Sequence, residues 1–237
     1  GACTYTKYLS LDVNLIYILL DETPSERLSI KGEVFKYLVK VRRHGVGDSI
    51  DFRSRENMDM LYSYEVICIE NRSLELRYIQ SSKSVLEAKK ALHIGWCVID
   101  PKSVEKVFPS LSEIGVKKVS FITCDRSQKS FKIDFPRYTR ILEASMQQCG
   151  RSSYIEFDIF KNIADFIEEY PQTKVFDFTD KTLDDYGEVS TVLIGCEGGF
   201  SKSEKEFLKD KDVFRLDTPM VLRSESAVMA VASKILL

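Results

Sequence analysis

The stretch with the most chemical content is Ser190–Glu204, in which glycines follow directly on an apolar, β-branched run. The run favours a buried strand, and Gly198 and Gly199 allow backbone conformations that are closed to residues with a Cβ. Ser201 and Glu204 have the spacing of a capping box, which predicts the start of a helix. Many α/β proteins hold a small ligand at such a junction of strand, glycine loop and helix.

The loop lacks the composition of a phosphate site. A P-loop ends in Gly-Lys-Ser/Thr and a dinucleotide loop carries GxGxxG, and neither pattern occurs in this segment. Glu197 would also repel a pyrophosphate, so a ligand that carries positive charge, or one held by backbone amides, fits better. From the loop alone, a tight turn without a ligand explains the glycines equally well.

A second stretch, Leu216–Ala227, places charged residues beside an apolar turn. Pro219 restricts the backbone to an extended or turning form, and Arg223 and Glu225 then lead into the last predicted helix. These two side chains could pair with each other and cap the helix. They could equally bind a ligand or a partner.

The elements that must position these stretches form two regions. Residues 1–80 carry short strands with partial alternation and one basic helix, which indicates a compact, mainly β module. Residues 81–90 are polar and are predicted to link this module to residues 91–237. There strands alternate with helices, which implies an α/β domain with a mostly parallel sheet.

One predicted helix of the α/β domain contains a proline. Asp100 and Pro101 make a good helix start, and apolar residues then recur on one helical face as far as Gly115. Pro109 lies inside this pattern and is expected to kink or break the helix.

Composition disfavours several kinds of site. Only two histidines occur, which makes His-based metal sites or catalytic triads improbable, and no run approaches the roughly 18 apolar residues of a membrane span. We therefore expect no metal and no membrane partner. The cysteines have no metal-binding spacing and are expected to be reduced thiols of a cytoplasmic protein: Cys3, Cys68, Cys97, Cys124, Cys149 and Cys196.

The net charge of −2 hides local concentrations of basic residues. Residues 27–44 contain six Lys/Arg against one acid, and residues 117–140 contain seven against two. Such patches fit a polyanion bound on one face of the protein. For any single cluster, a solvated helix face is the more frequent explanation.

The two chemical stretches together resemble a known pair of motifs. IGCEGGFSKSE and VLRSESA are similar to IGPEGGFS and LRTETA of the RsmE-type ribosomal RNA uracil-N3 methyltransferases, which belong to the SPOUT superfamily. Residues 143–152 resemble the family's EAxEQSGR segment, and residues 37–48 resemble the HLxRVLRxxxGD segment of its PUA-like domain. The chain departs from the family at Cys196, where proline is usual, and at Thr218 and Met220, where glycine and arginine are common.

The resemblance implies a trefoil-knotted SPOUT domain at 91–237, a PUA-like RNA-binding barrel at 1–80, and a homodimer. It also implies that three loops hold S-adenosylmethionine through backbone groups and apolar walls. The residues implied to bind this cofactor are Phe178, Thr179, Ile194, Gly195, Cys196, Glu197, Gly198, Gly199, Phe200, Leu216, Thr218, Pro219, Met220, Val221, Leu222 and Ala227.

The implied reaction is methylation of N3 of one uridine in 16S ribosomal RNA. Because N3 lies on the Watson–Crick edge, the base must be unpaired or flipped out, and its imide proton must leave. Arg223 and Glu225 are the first candidates to stabilise the developing charge or accept the proton, and Glu143 follows. Ribosomal RNA, free or in the small subunit, is expected to contact Lys40, Arg43, Arg126, Gln147 and Arg151.

Two alternatives stay open. One is a SPOUT methyltransferase that acts on another position of ribosomal RNA or on tRNA. The other is an RNA-binding assembly factor that has kept the fold and lost catalysis. Binding of S-adenosylhomocysteine separates an enzyme from an assembly factor, and the position of the methyl group separates the two enzymes.

Overall fold

The computed structural model divides into two compact units. The described residues are 15–21, 24–129 and 131–237. Unit 1 consists of two segments, the chain up to Glu87 and Thr139–Ser153. Unit 2 consists of Ala88–Tyr138 and Tyr154–Leu237. The first change of unit therefore falls inside the predicted linker, but the later segment of unit 1 is not predicted by the sequence.

Unit 1 is built on a five-stranded sheet. The order of the strands is β1-β3-β4-β5-β2, with β1 parallel to β3 and the other pairs antiparallel. Side chains on one face form the core, where Phe52, Tyr64, Val66, Leu74 and Leu76 are fully buried. The strands are β1 Ile18–Leu20, β2 Arg27–Lys31, β3 Ser49–Ser54, β4 Asn57–Ile69 and β5 Ser73–Lys83.

The predicted basic helix of unit 1 is present in two parts. An α-helix, α1 (Gly32–Lys36), continues directly into a π-helical turn, Tyr37–Val41. Leu38 is buried in the core, whereas Lys40 is exposed. Arg43 follows in the left-handed conformation with φ of 57° and is also exposed. The apolar side of this segment thus anchors it and leaves the cations in solvent.

Buried hydrogen bonds explain why residues 139–153 belong to unit 1. The Gln147 side-chain carbonyl accepts the Leu19 N–H at 2.9 Å. Arg55 donates to both carboxylate oxygens of Glu143, at 2.8 and 3.0 Å, and Glu143 is only 1% exposed. Removing one partner of such a buried ion pair leaves an uncompensated charge, so the pair holds the segment firmly.

Unit 2 contains a six-stranded sheet in which every pair of neighbours is parallel, in the order β11-β9-β10-β6-β7-β8. This confirms the predicted α/β fold with a mostly parallel sheet. The strands are β6 His93–Cys97, β7 Lys118–Ile122, β8 Glu156–Phe160, β9 Lys174–Phe176, β10 Thr191–Ile194 and β11 Val213–Phe214. The α-helices that follow β6 are α2 Pro101–Ile114, α3 Phe135–Cys149, α4 Ile163–Glu169, α5 Lys202–Phe207 and α6 Ser224–Leu236, and α3 belongs to unit 1 from Thr139 onward.

The α2 helix starts and ends as predicted but is not broken. The Asp100 side chain accepts the Ser103 N–H at 3.1 Å, and Gly115 ends the helix with φ of 104°. Of the kink or break expected at Pro109, the break does not occur, because the helix continues through the proline. Phe108 and Leu111, on either side of the proline, are fully buried, and their packing holds the helix together.

The expectation that all cysteines are reduced is wrong for one pair. Cys97 and Cys124 form a disulfide with their Cα atoms 5.8 Å apart. Cys97 ends β6 and Cys124 follows β7, and these strands are parallel neighbours whose ends meet. Cys68, Cys149 and Cys196 are thiols, and Cys3 lies outside the described residues.

His93 is a buried titratable group in the sheet of unit 2. It is 9% exposed, its Nε2 lies 2.6 Å from Ser120 Oγ, and the rings of Phe166 and Tyr170 pack against it. Burial lowers the pKa of His93 to about 4, and the positive charge of Lys118 acts in the same direction.

We predict that the free energy of unfolding decreases between pH 7 and pH 5. The unfolded chain binds a proton at His93 near the ordinary pKa of 6.5, whereas the folded chain does so only near 4, so protonation favours unfolding. This group should account for a loss of about 2 kcal/mol over that range, measured by urea unfolding at several pH values. The His93→Gln variant should lose this part of the pH dependence. The same slope in both proteins would contradict the prediction.

Candidate functional site

The three loops singled out in the sequence line one cavity of about 390 Å³ in unit 2. They follow β9, β10 and β11, which are adjacent in the sheet. Because parallel strands present their carboxyl ends at the same edge, loops that follow neighbouring strands meet there. The volume lies in the range of small-molecule sites, about 300–1,000 Å³.

The residues implied to bind a cofactor line this cavity, with the exception of Thr179 and Pro219. Two lining residues, Phe176 and Asp177, directly precede Phe178, so a wider reading of that loop would have found them. Arg215 directly precedes Leu216 and Ser224 lies within the second stretch, so they too were next to predicted residues, whereas Arg126 comes from a separate part of the chain. The lining residues that were not predicted as such are Arg126, Phe176, Asp177, Lys205, Arg215 and Ser224.

The glycine loop, residues 195–200, forms a tight turn. The Cys196 backbone carbonyl accepts the Gly199 N–H at 2.9 Å. Gly199 has φ of 66°, a conformation that favours glycine. A Cβ on Gly198 would lie 3.2 Å from Cδ of Arg126, so a side chain there would press on the arginine. Burial raises the pKa of the Cys196 thiol, which therefore stays neutral at neutral pH. A small neutral side chain thus fills the position where the family usually has proline.

The segment after β7 is hydrogen-bonded to the middle of the glycine loop and to the start of α5. Arg126 Nη1 donates to the Gly198 carbonyl at 2.6 Å, and the Asp125 N–H donates to Glu204 Oε1 at 2.6 Å. The other oxygen of Glu204 accepts the Ser201 N–H at 2.9 Å, which confirms the predicted capping box. Glu204 is buried, so its carboxylate joins the start of α5 to the Asp125 turn.

The start of α6 also contacts the glycine loop. The Ser224 hydroxyl donates to the Gly195 carbonyl at 2.6 Å and accepts the indole N–H of Trp96 at 2.8 Å. Trp96 belongs to β6, so one serine connects a central strand, the last helix and the loop.

Arg223 and Glu225 flank Ser224 and do not form an ion pair with each other in the described part of the chain. Arg223 is exposed at the N-cap of α6 and makes no side-chain cap hydrogen bond. Glu225 Oε2 is buried and lacks a hydrogen-bond partner among the described residues. The alternative in which the two side chains simply pair is therefore disfavoured.

The other predicted site residues lie in unit 1. Glu143 is held by Arg55, as described above, so its carboxylate is already engaged. Gln147 and Arg151 are 5% and 6% exposed, which disfavours direct contact with RNA. Lys40 and Arg43 are the predicted RNA contacts of this unit that solvent reaches.

The mouth of the cavity is apolar and exposed. Phe178 and Val221 are each 80% exposed and Met220 is 66% exposed, although all three are large hydrophobic residues. Asp177 adds a carboxylate to the lining and pairs with Lys205 at 3.6 Å. The site thus combines apolar walls with charged groups of both signs, since Asp177 and Glu197 are acidic and the lining also contains the basic residues Arg126, Lys205 and Arg215.

Within residues 15–21, 24–129 and 131–237, no helix is long and apolar enough to cross a membrane, and no group of three His, Cys, Asp or Glu could hold a metal ion.

The chain is similar to known RNA methyltransferases. A family model for the RNA methyltransferase domain matches residues 86–236. The chain is 36% identical over 210 residues to the ribosomal RNA small subunit methyltransferase E of Helicobacter pylori (strain ATCC 700392 / 26695), an alignment that covers 87% of this chain and 92% of that protein.

Solved structures have the same fold. The ribosomal RNA small subunit methyltransferase E of Neisseria gonorrhoeae, solved with S-adenosyl methionine, has a TM-score of 0.71 at 14% identity and covers 93% of this chain and 96% of its own. A Legionella pneumophila protein solved with bound SAM has a TM-score of 0.73 at 20% identity, with coverage of 94% and 97%. At these identities the likeness concerns the fold alone.

We predict that Arg126→Ala loosens the glycine loop. Loss of the hydrogen bond from the guanidinium to Gly198 removes about 1 kcal/mol of local stabilisation, which corresponds to roughly fivefold faster amide exchange in residues 195–200. Hydrogen–deuterium exchange followed by mass spectrometry measures this. Lys129→Ala is the matched control, since Lys129 is an exposed cation of the same segment. Equal exchange in both variants would show that Arg126 does not restrain the loop.

Proposed function

Since the chain belongs to the ribosomal RNA small subunit methyltransferase E family, we propose that it methylates N3 of a uridine in small-subunit ribosomal RNA with S-adenosylmethionine as the methyl donor. One observation carries the proposal. Three loops chosen from the sequence, each after a different strand, line a single cavity of about 390 Å³.

The residues of the cavity fit S-adenosylmethionine. The backbone of the glycine loop and of residues 216–222 would hold adenine and ribose, and Met220, Val221 and Leu222 would form apolar walls. The lining carries negative charge on Asp177 and Glu197 and positive charge on Arg126, Lys205 and Arg215, which suits a ligand with charges of both signs such as S-adenosylmethionine. When bound, S-adenosylmethionine supplies an electrophilic methyl group carried by a sulfonium sulfur.

The residues at the start of α6 would act on the uracil. Glu225 would accept the N3 proton, since its buried Oε2 has no hydrogen-bond partner among the described residues and leaves an acceptor position for that purpose. Arg223 would stabilise the negative charge that develops on O2 and O4 as the proton leaves. We assign Glu143 a lesser role in catalysis, because Arg55 already occupies both of its carboxylate oxygens.

The RNA would be held by cations of unit 1. Lys40 and Arg43 are exposed and follow the anchored helical segment, so they can reach phosphates without disturbing the core. We propose that unit 1 is the PUA-like domain of the family. For Arg126 the hydrogen bond to Gly198 supports a role at the cofactor loop in preference to RNA contact.

The remaining family features are also proposals for this chain. The parallel sheet order β11-β9-β10-β6-β7-β8 supports a SPOUT domain with a trefoil knot in its C-terminal part. We further propose a homodimer that acts in the cytoplasm on ribosomal RNA or on the small ribosomal subunit.

The reaction can be tested directly. The purified protein, incubated with small ribosomal subunits or their RNA and with S-adenosylmethionine labelled on the methyl group, should place the label in N3-methyluridine, identified by digestion and mass spectrometry. Label in another nucleoside would support a different target. A failure to bind S-adenosylhomocysteine at millimolar concentration would exclude both enzymes and leave the assembly factor.

The proposed catalytic pair gives a second prediction. Arg223→Ala and Glu225→Gln should each lower kcat by about 10²-fold, because each removes a group that acts on charge developed only in the transition state. The affinity for S-adenosylhomocysteine, measured by calorimetry, should change by less than about threefold.

Lys234→Ala is the matched control for this pair. Lys234 is an exposed cation at the far end of the same helix, 4.0 Å from Asp184, and its removal should leave kcat unchanged. If Arg223→Ala weakens S-adenosylhomocysteine binding as much as it lowers kcat, Arg223 belongs to the cofactor site or to the structure of the loop.

A further inference from the structure

Ser224 makes two buried hydrogen bonds whose directions are fixed by chemistry. The Trp96 indole nitrogen can only donate and the Gly195 carbonyl can only accept. The hydroxyl between them must therefore accept at 2.8 Å from the indole and donate at 2.6 Å to the carbonyl. Ser224 is 5% exposed and Trp96 is fully buried, so water does not readily replace the hydroxyl.

The acceptor of this chain of hydrogen bonds is the first residue of the glycine loop. Gly195 follows the last residue of β10 and lines the cavity. In a trans peptide the carbonyl and the next N–H point in opposite directions. A hydroxyl that fixes the Gly195 carbonyl toward α6 therefore directs the Cys196 N–H away from that helix. The hydroxyl thus sets the orientation of the peptide that opens the loop.

Ser224 also fixes the two residues beside it. It is the first residue of α6 and stands between Arg223 and Glu225. Its side chain is bonded to the loop of β10 and to a central strand, and its backbone carries the two proposed catalytic residues. A displacement of Ser224 would move the cofactor loop and the catalytic pair together.

We infer that Ser224, supported by Trp96, is the positioning residue that sets the cofactor loop against the start of α6. This inference rests on the proposed function, because it assigns Ser224 to the S-adenosylmethionine site. The role requires a hydroxyl: threonine supplies one, whereas alanine and cysteine do not supply a strong donor. Ser224 was not among the site residues that the sequence predicted.

Three substitutions at this position test the requirement. Ser224→Ala removes the hydroxyl, and Ser224→Cys keeps nearly the same volume with a weak donor. Both should weaken S-adenosylhomocysteine binding about tenfold, measured by calorimetry, and Ser224→Thr should restore affinity to within about threefold of the wild type.

Trp96 provides a direct spectroscopic readout, because it is the single tryptophan of the chain. Loss of the indole hydrogen bond in Ser224→Ala and Ser224→Cys should shift its emission to shorter wavelength, and Ser224→Thr should restore the wild-type spectrum. Ser120→Ala is the matched control, since Ser120 is also fully buried and its hydroxyl lies 2.6 Å from His93 Nε2 in the same sheet. This control should lower thermal stability without changing the affinity or the emission.

The outcomes distinguish this inference from the proposed function. If Ser224→Ala and Ser224→Cys bind S-adenosylhomocysteine with wild-type affinity, the role of Ser224 is overturned and the proposed function stays intact. The same holds if Ser224→Thr binds it as weakly as those two variants do. A tenfold loss of S-adenosylhomocysteine affinity in Ser120→Ala as well would show that removing any buried serine has this effect. That result would also overturn the role of Ser224. No binding by the wild-type chain would overturn the proposed cofactor and this inference together.

Discussion

The candidate site depends on one constraint, the parallel pairing of every neighbouring pair of strands in the unit 2 sheet. Parallel strands present their carboxyl ends at a common edge, and there the segments that follow β7, β9, β10 and β11 come together. The ends of β6 and β7 are close enough for the Cys97–Cys124 disulfide. If one of these strands ran antiparallel, its following loop would lie at the opposite edge and the cavity would lose a wall.

Within that edge, side-chain hydrogen bonds to backbone carbonyls hold the glycine loop. Ser224 binds the Gly195 carbonyl at the start of the loop, and Arg126 binds the Gly198 carbonyl in its middle. Glu204 then ties the end of the loop to the Asp125 turn. Glycine is needed at position 198, where Arg126 approaches closely, and at position 199, where φ is positive. The lack of a Cβ that permits this geometry also gives these residues more backbone freedom in the unfolded chain. A loop restrained in this way can present its amides to a ligand with little further ordering.

Local patterns predicted most elements of the fold because each pattern depends on neighbours in sequence. The capping box of Ser201 and Glu204 and the Asp100 cap are contacts across three residues, and both are present. Pro109 shows the limit of this approach, since buried neighbours keep a helix intact through a residue that local rules treat as a breaker. The Cys97–Cys124 disulfide shows the same limit, because strand adjacency brings together residues that are 27 apart in sequence.

The roles of two charged residues could likewise not be assigned from local patterns. Charge alone associated Arg126 with RNA, whereas the fold places its guanidinium on the glycine loop. The motif around Glu143 suggested catalysis, whereas the fold buries that carboxylate against Arg55. A charge count records the type of a residue but not the direction of its side chain, and direction decides between a solvated cation and a structural one.

The sequence by itself determined the family, the strand–loop–helix character of the glycine loop and the choice of three loops, because these are carried by residue types at short, fixed spacing. Only the tertiary structure decided which distant side chains hold that loop: Trp96, Arg126 and Ser224 come from a strand, a turn and a helix that are far apart in the chain. It also decided that residues 139–153 belong to unit 1. The physical reason is that a hydrogen bond depends on distances of about 3 Å between atoms, and those distances exist only after the sheet has brought its strands into order.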